Sequence, residues 1–201
     1  MEYYIYNIPV FVVHEPGGDV NVPEFCQEVE EIMPARLLRN VEVVYIGEFF
    51  GDRNATYNDG VIYITSKEPT NFDMIEDFVH EVAHSLEHEY GSFIYDDALI
   101  NEFKGKRERL KHLLSAEGYH ISPSLYQFTE YTKKFDEFLA NEVGYPTLVS
   151  ITMGLFVSPY GATSIQEYFA NGFEKYILDG PAVVKKVSPV LYEKIENILN
   201  D

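Results

Sequence analysis

Apolar residues change their spacing part-way along the chain. Up to about residue 65 they come in short β-branched and aromatic runs separated by turn residues; beyond Pro69 they recur every three or four positions. Residues 5–13, 41–46 and 61–65 are the runs that predict strands, the first within an extended stretch covering 1–13, and residues 24–39 predict a helix between the first two. Asn58-Asp59-Gly60 predicts a turn leading directly into the third strand. Phe72, Ile75, Val79, Val82 and Leu86 then mark one face of a helix over residues 72–90, about five turns long, with Gly91 just past its end. Residues 96–117 and 124–143 predict two more helices, stopped by Gly118 and Gly144, while 149–157 is a short apolar segment that fits either element type. Ser164 is a natural N-cap for a helix over 165–179 that ends at Gly180-Pro181, and Ser188-Pro189 opens a last helix to Leu199. Strands first and helices afterwards predict the α+β class, with a small mixed sheet and a mostly helical C-terminal part.

Composition narrows the classes of function. A chain of 201 residues with 46% hydrophobic and 24% charged residues is sized and composed for one folded domain, expected here over 1–201. Fifteen basic against 33 acidic residues leave a formal charge of −18, a field that repels nucleic-acid phosphates and anionic lipid surfaces. The partners expected are therefore neither nucleic acid nor membrane. The single cysteine, Cys26, has no partner for an internal disulfide and reads as a packing residue. The N-terminus is acidic and aromatic rather than a secretory leader, and no apolar run reaches ~18 residues, so a cytoplasmic location is expected.

The chemistry concentrates on the helix after Pro69, which contains His80-Glu81-Val82-Ala83-His84, the HExxH pattern. Four residues make one turn plus about 40°, so both imidazoles project from one side of the helix and can close on a single ion. Glu81 lies between them, able to act on a water without ligating the metal. A catalytic zinc takes a third protein ligand and keeps its fourth position open. The metzincin continuation is absent, because Glu87 and Tyr90 stand where Gly and His are required. His88 lies one turn beyond His84, too far along the axis to complete a tetrahedron, and reads as solvent-exposed or supporting. On the 165–179 helix, Glu167, Ala170, Asn171 and Glu174 form a stripe of acids and small residues, from which Glu167 is the first candidate for the third ligand and Glu174 the fallback. His14, His112 and His120 match no metal-binding spacing and are assigned to surface or packing positions.

The HExxH helix and the stretch Pro159-Tyr160-Gly161-Ala162-Thr163-Ser164-Ile165-Gln166-Glu167-Tyr168-Phe169-Ala170 together resemble the zinc peptidases grouped around the anthrax lethal factor catalytic domain, with the Pro-Pro endopeptidases and Mlc titration factor type peptidases. Asp59-Gly60-Val61-Ile62-Tyr63-Ile64 is similar to the strand that borders the substrate cleft in that group. The resemblance implies a gluzincin-type, zincin-like fold with an edge strand beside the HExxH helix, and one zinc per chain held by His80, His84 and Glu167. It also implies a catalytic tyrosine seven positions before the ligand Glu, which falls on Tyr160. Glu167 follows His84 by 83 positions, longer than such relatives suggest, and the helices expected over 96–143 account for the excess.

The activity expected from this reading is zinc-dependent hydrolysis of a peptide or protein substrate, with Glu81 as general base and Tyr160 donating to the oxyanion. The substrate would lie extended along residues 61–65, pairing with their backbone. The alternative is a zinc-stabilised, non-catalytic protein-binding module, and it is weakened by Glu81, which a structural site does not need.

Overall fold

The alternating runs of the first third form five strands: β1 (Glu2–Ile5), β2 (Ile8–Val12), β3 (Val43–Gly47), β4 (Ala55–Asn58) and β5 (Val61–Thr65). The computed structural model describes residues 2–49 and 54–201, so Met1 of the expected N-terminal strand lies outside the described residues. By packing, the chain divides into two units, Met1–Glu89 and Tyr90–Asp201.

In the first unit the sheet order is β1-β2-β3-β5-β4. The β1–β2 and β4–β5 pairs are antiparallel, and β2–β3 and β3–β5 are parallel. The single strand expected over 5–13 is thus a hairpin. Its turn is made possible by Tyr6, whose φ of 53° is fixed because its N–H donates to the Glu30 carboxylate and its hydroxyl donates to the carbonyls of Glu30 and Met33. Strand β4 was not expected at all. Asp59 and Gly60, with φ of 46° and 85°, form the two-residue loop whose twist suits a hairpin, so the turn ahead of β5 joins two strands rather than opening one. Because β4 covers its flank, β5 has a hydrogen-bonded neighbour on both sides, and residues 61–65 offer no free edge to an extended peptide.

Register assigns each face of this sheet. Phe11, Tyr45 and Tyr63 are in line across β2, β3 and β5 and stack with centroids 5.6 and 5.7 Å apart. On the opposite face, Val10, Val44, Ile46, Ile62 and Ile64 are fully buried. Helix α1 (Val22–Ile32) starts at Asn21, whose side chain accepts from Glu24 N–H at 3.2 Å. It ends earlier than the expected residue 39, because Met33 is extended ahead of Pro34, and Ala35–Leu38 form a separate 3-10 turn. Phe25 of α1 meets Phe78 of α2 (Asn71–Ile94) edge to face at 5.8 Å. Helix α2 runs through Gly91, which keeps helical backbone instead of the left-handed cap expected there, and so reaches the buried Ile94.

The second unit is helical. Asp96 caps α3 (Asp97–Ala116) by accepting from Leu99 N–H at 3.0 Å. The helix expected over 124–143 is not continuous: Pro123–Tyr126 is a 3-10 turn, α4 spans only Lys133–Glu137, and Phe138–Val143 winds as a π-helix. The undecided segment becomes α5 (Tyr145–Thr152), followed by a reversal at Gly154, φ 72°. Helix α6 (Ile165–Asp179) has the expected bounds and the expected Ser164 cap. Gly180-Pro181 both ends it and starts a short α7 (Pro181–Val187), since proline suits the first turn of a new helix, and α8 (Pro189–Asn200) closes the chain. The α+β class holds, and among the described residues no helix is long and apolar enough to cross a membrane.

Gly172 marks where α6 meets α8: a Cβ there would lie 2.3 Å from Leu191 Cδ2, and Leu191 is fully buried. Gly172→Ala is therefore expected to destabilise the protein by ~1–3 kcal/mol through overpacking, despite alanine's higher helix propensity. Urea unfolding measures this, and adding Leu191→Ala should cost less in the Gly172→Ala background than in wild type.

Candidate metal centre

In the first unit the i, i+4 spacing does what helical geometry requires, placing the His80 and His84 rings 5.1 Å apart, centroid to centroid. The apolar face of the same helix, Val79, Val82, Ala83 and Leu86, is fully buried, which fixes the rotation of α2 and hence the direction of both rings. The Nδ1–H of His84 donates to Glu87 Oε1 at 2.7 Å, one turn on, and both side chains are about one-fifth exposed.

Glu81 is buried, 8% exposed, and its Oε2 accepts from the backbone N–H of Tyr57 at 2.5 Å. Tyr57 sits in β4, the edge strand, so this carboxylate satisfies an edge N–H while its position between the histidines is held. Nearby, Glu68 is buried and Asp77 Oδ2 is buried without a hydrogen-bond partner. Burial first, and then the facing Glu68 carboxylate, push the Asp77 carboxyl up to about 8. Glu68 is raised too, mainly by burial, with Asp73 adding to it.

In the second unit, Ser164 Oγ accepts from Glu167 N–H at 3.1 Å. Ser164-Ile165-Gln166-Glu167 thus has the serine-to-glutamate spacing of a capping box, and Glu167 stands in the first turn of α6 because the cap begins the helix three residues before it. Tyr160 lies in a 3-10 turn, Tyr160–Ala162, just ahead of that helix. Its carbonyl accepts from Thr163 Oγ1 at 2.7 Å and Thr163 N–H at 2.9 Å. Burial chiefly, with Glu167 next and Asp136, Tyr131 and Tyr145 after it, raises the Tyr160 hydroxyl well above the usual phenol range, so it is a proton-bearing donor at neutral pH.

One ligand atom from each of His80, His84 and Glu167 lies within 4.8 Å of the other two, the one such group of three among the described residues. The donor set fits zinc, which takes imidazole nitrogens and a carboxylate oxygen in three-ligand catalytic sites. Glu174, the fallback, is outside the group. His88, His14, His112 and His120 are exposed. Cys26 is buried, and its thiol is pushed up to about 11 by burial and then by Glu30, which leaves it inert. Comparison with protein-family models, with curated proteins and with solved structures found no match.

Three contributors went unread in the sequence. Glu87 was visible as an acid at i+3 from His84, a spacing that predicts contact on a helix. Arg107 of α3 donates from Nη1 to the carbonyls of Ala162 and Thr163 at 3.1 and 3.3 Å, and from Nη2 to Leu125 O at 2.5 Å. Nothing local to a charged helix identifies such a residue. Tyr57 contributes backbone only and has no side-chain signal.

Asp77 makes a pH prediction. Its folded value is raised above the ordinary ~3.9, so the stability it contributes is full below about pH 4 and is lost as pH rises through about 8. Asp77→Asn, which cannot ionise, should gain stability relative to wild type as pH is raised from 5 to 9. Denaturant unfolding of the metal-free proteins across that range reads it; a difference independent of pH would mean that Asp77 titrates normally.

Proposed function

We propose that this chain is a zinc-dependent peptidase of zincin-like, gluzincin type, holding one zinc through His80, His84 and Glu167 and acting on a peptide or protein substrate. The observation that carries the reading is the convergence of those three donor atoms around the HExxH helix. When bound, the ion supplies Lewis acidity to the scissile carbonyl and brings the pKa of water toward ~7. Glu81 is the general base: the Tyr57 N–H bond to one of its oxygens orients the carboxylate, which takes a proton from water and returns it to the leaving amine. Tyr160 is the oxyanion donor. Its hydroxyl stays protonated, as donation to a developing negative charge requires, and its turn is braced by Thr163 and Arg107.

One observation favours a second reading, a zinc-stabilised binding module without turnover. The Tyr57 hydrogen bond gives Glu81 a structural task, so the presence of that carboxylate does not by itself demand catalysis.

Glu81→Gln separates the two. The amide oxygen can still accept from Tyr57 N–H, so fold and zinc content should be kept while hydrolysis of a mixed peptide library is lost. Glu167→Ala should strip or greatly weaken the metal, and Tyr160→Phe should lower turnover ~10²-fold at unchanged zinc affinity. Metal analysis together with peptide-hydrolysis assays of wild type and these variants checks all three. Zinc that survives Glu167→Ala and is lost with Glu174→Ala would reassign the third ligand. Zinc without any zinc-dependent cleavage by wild type would favour the binding module.

A further inference from the structure

We infer that Glu87 is a positioning residue for the metal: it fixes the tautomer and orientation of His84, so that His84 coordinates through Nε2. This rests on the zinc reading above and adds a residue to it. The geometry is local and complete within one helix. His84 Nδ1 and Glu87 Oε1 are 2.7 Å apart at i, i+3. An ionised carboxylate can only accept, so the hydrogen of that bond belongs to Nδ1. A neutral imidazole carries one N–H; with it at Nδ1, the lone pair available to an ion is on Nε2. The bond also sets the plane of the ring, because Glu87 stands on the same helix and at 21% exposure is not free to follow a rotating imidazole.

The acid does more than neutral scenery would. A carboxylate behind a ligating imidazole raises the basicity of the ligand, and loss of such a partner lowers metal affinity ~10–100-fold. The other acid on this part of α2, Glu89, pairs instead with Arg39 Nε at 2.7 Å and serves as the control for charge. The control matters because the chain carries a formal charge of −18, and removing any one acid weakens the general attraction of a cation slightly.

The test is zinc affinity by chelator competition for wild type, Glu87→Ala, Glu87→Gln and Glu89→Ala, with long-range 1H–15N NMR of the histidine rings in metal-free and zinc-loaded protein. The expected result is a ~10–100-fold loss for Glu87→Ala and a smaller loss for Glu87→Gln, whose amide oxygen still accepts from Nδ1–H. Glu89→Ala should show only the slight loss that removing one acid brings. The NMR should show His84 protonated at Nδ1 before loading and metallated at Nε2 after it. Circular dichroism and thermal unfolding of the metal-free variants confirm that each is folded; a Glu87→Ala variant that fails this check hands the decision to Glu87→Gln and the ring tautomer. Wild-type affinity in folded Glu87→Ala, or metallation of His84 at Nδ1, overturns the role of Glu87 and leaves the zinc reading standing. Wild type that takes up no zinc overturns the zinc reading, and the role of Glu87 with it.

Discussion

A guanidinium exposed to only 1%, that of Arg107, organises the second unit. Removing such a charge from water costs several kcal/mol, a cost that falls as its donors are met. Three backbone carbonyls, those of Leu125, Ala162 and Thr163, accept from Nη1 and Nη2, while Nε is buried without a hydrogen-bond partner, and the guanidinium carbon lies 4.0 Å from the centroid of the Phe135 ring. Charge-assisted bonds contribute ~1.5–3 kcal/mol each and the aromatic face up to ~2, which offset much of the desolvation. Burial lowers the Arg107 pKa only to about 10, so it remains charged at neutral pH. The balance is conditional: a carbonyl that moved away would strand a buried charge, and the turn carrying Tyr160 and the entry to α6 are therefore held in place.

Its neighbour repeats the device. Lys106 donates to Leu155 O at 2.6 Å and Val187 O at 2.7 Å, with the Phe156 and Tyr168 rings each 5.7 Å away. Successive residues on a helix point about 100° apart, so two adjacent cations gather carbonyls from different directions onto α3. The helices expected only as an insertion are thereby tied to the segment that leads into the Glu167 helix. Ile165 N–H, the first of α6, donates to Thr129 O at 2.8 Å, again tying the start of the Glu167 helix to the 124–143 region. Tyr168 adds a hydrogen bond to Glu102 at 2.9 Å, and Glu102 in turn accepts from the N–H groups of Val190 and Leu191 at the start of α8.

What could be read from the sequence was what local physics decides. The bounds of α6 follow from a serine cap and a glycine stop, and the histidine pair from helical spacing alone. The continuous helix expected over 124–143 failed because its apolar residues suit a helix while tertiary bonds claim its backbone: Arg107 takes Leu125 O, and Thr129 O takes Ile165 N–H. The hairpin at Tyr6 was unreadable for a similar reason, since tyrosine is a poor choice for positive φ and is tolerated there through Glu30 and Met33, more than twenty residues away. Strand β4 is four residues long and has no buried position, so no alternation announces it; only the Asp59-Gly60 turn hints that a strand should precede as well as follow.

The position of β4 bears most directly on the chemistry. An edge strand has outward N–H groups that need partners, and a carboxylate is the strongest neutral-pH acceptor a helix can offer one. Glu81 meets that need at Tyr57, and the same bond prevents the side chain from rotating among the rotamers open to a half-free glutamate. A general base works best when its reactive oxygen is already placed, because the entropy of placing it is then not part of the barrier. On the proposed reading, anchoring and catalysis would therefore not be competing uses of Glu81: a bond that fixes one carboxylate oxygen orients the whole group.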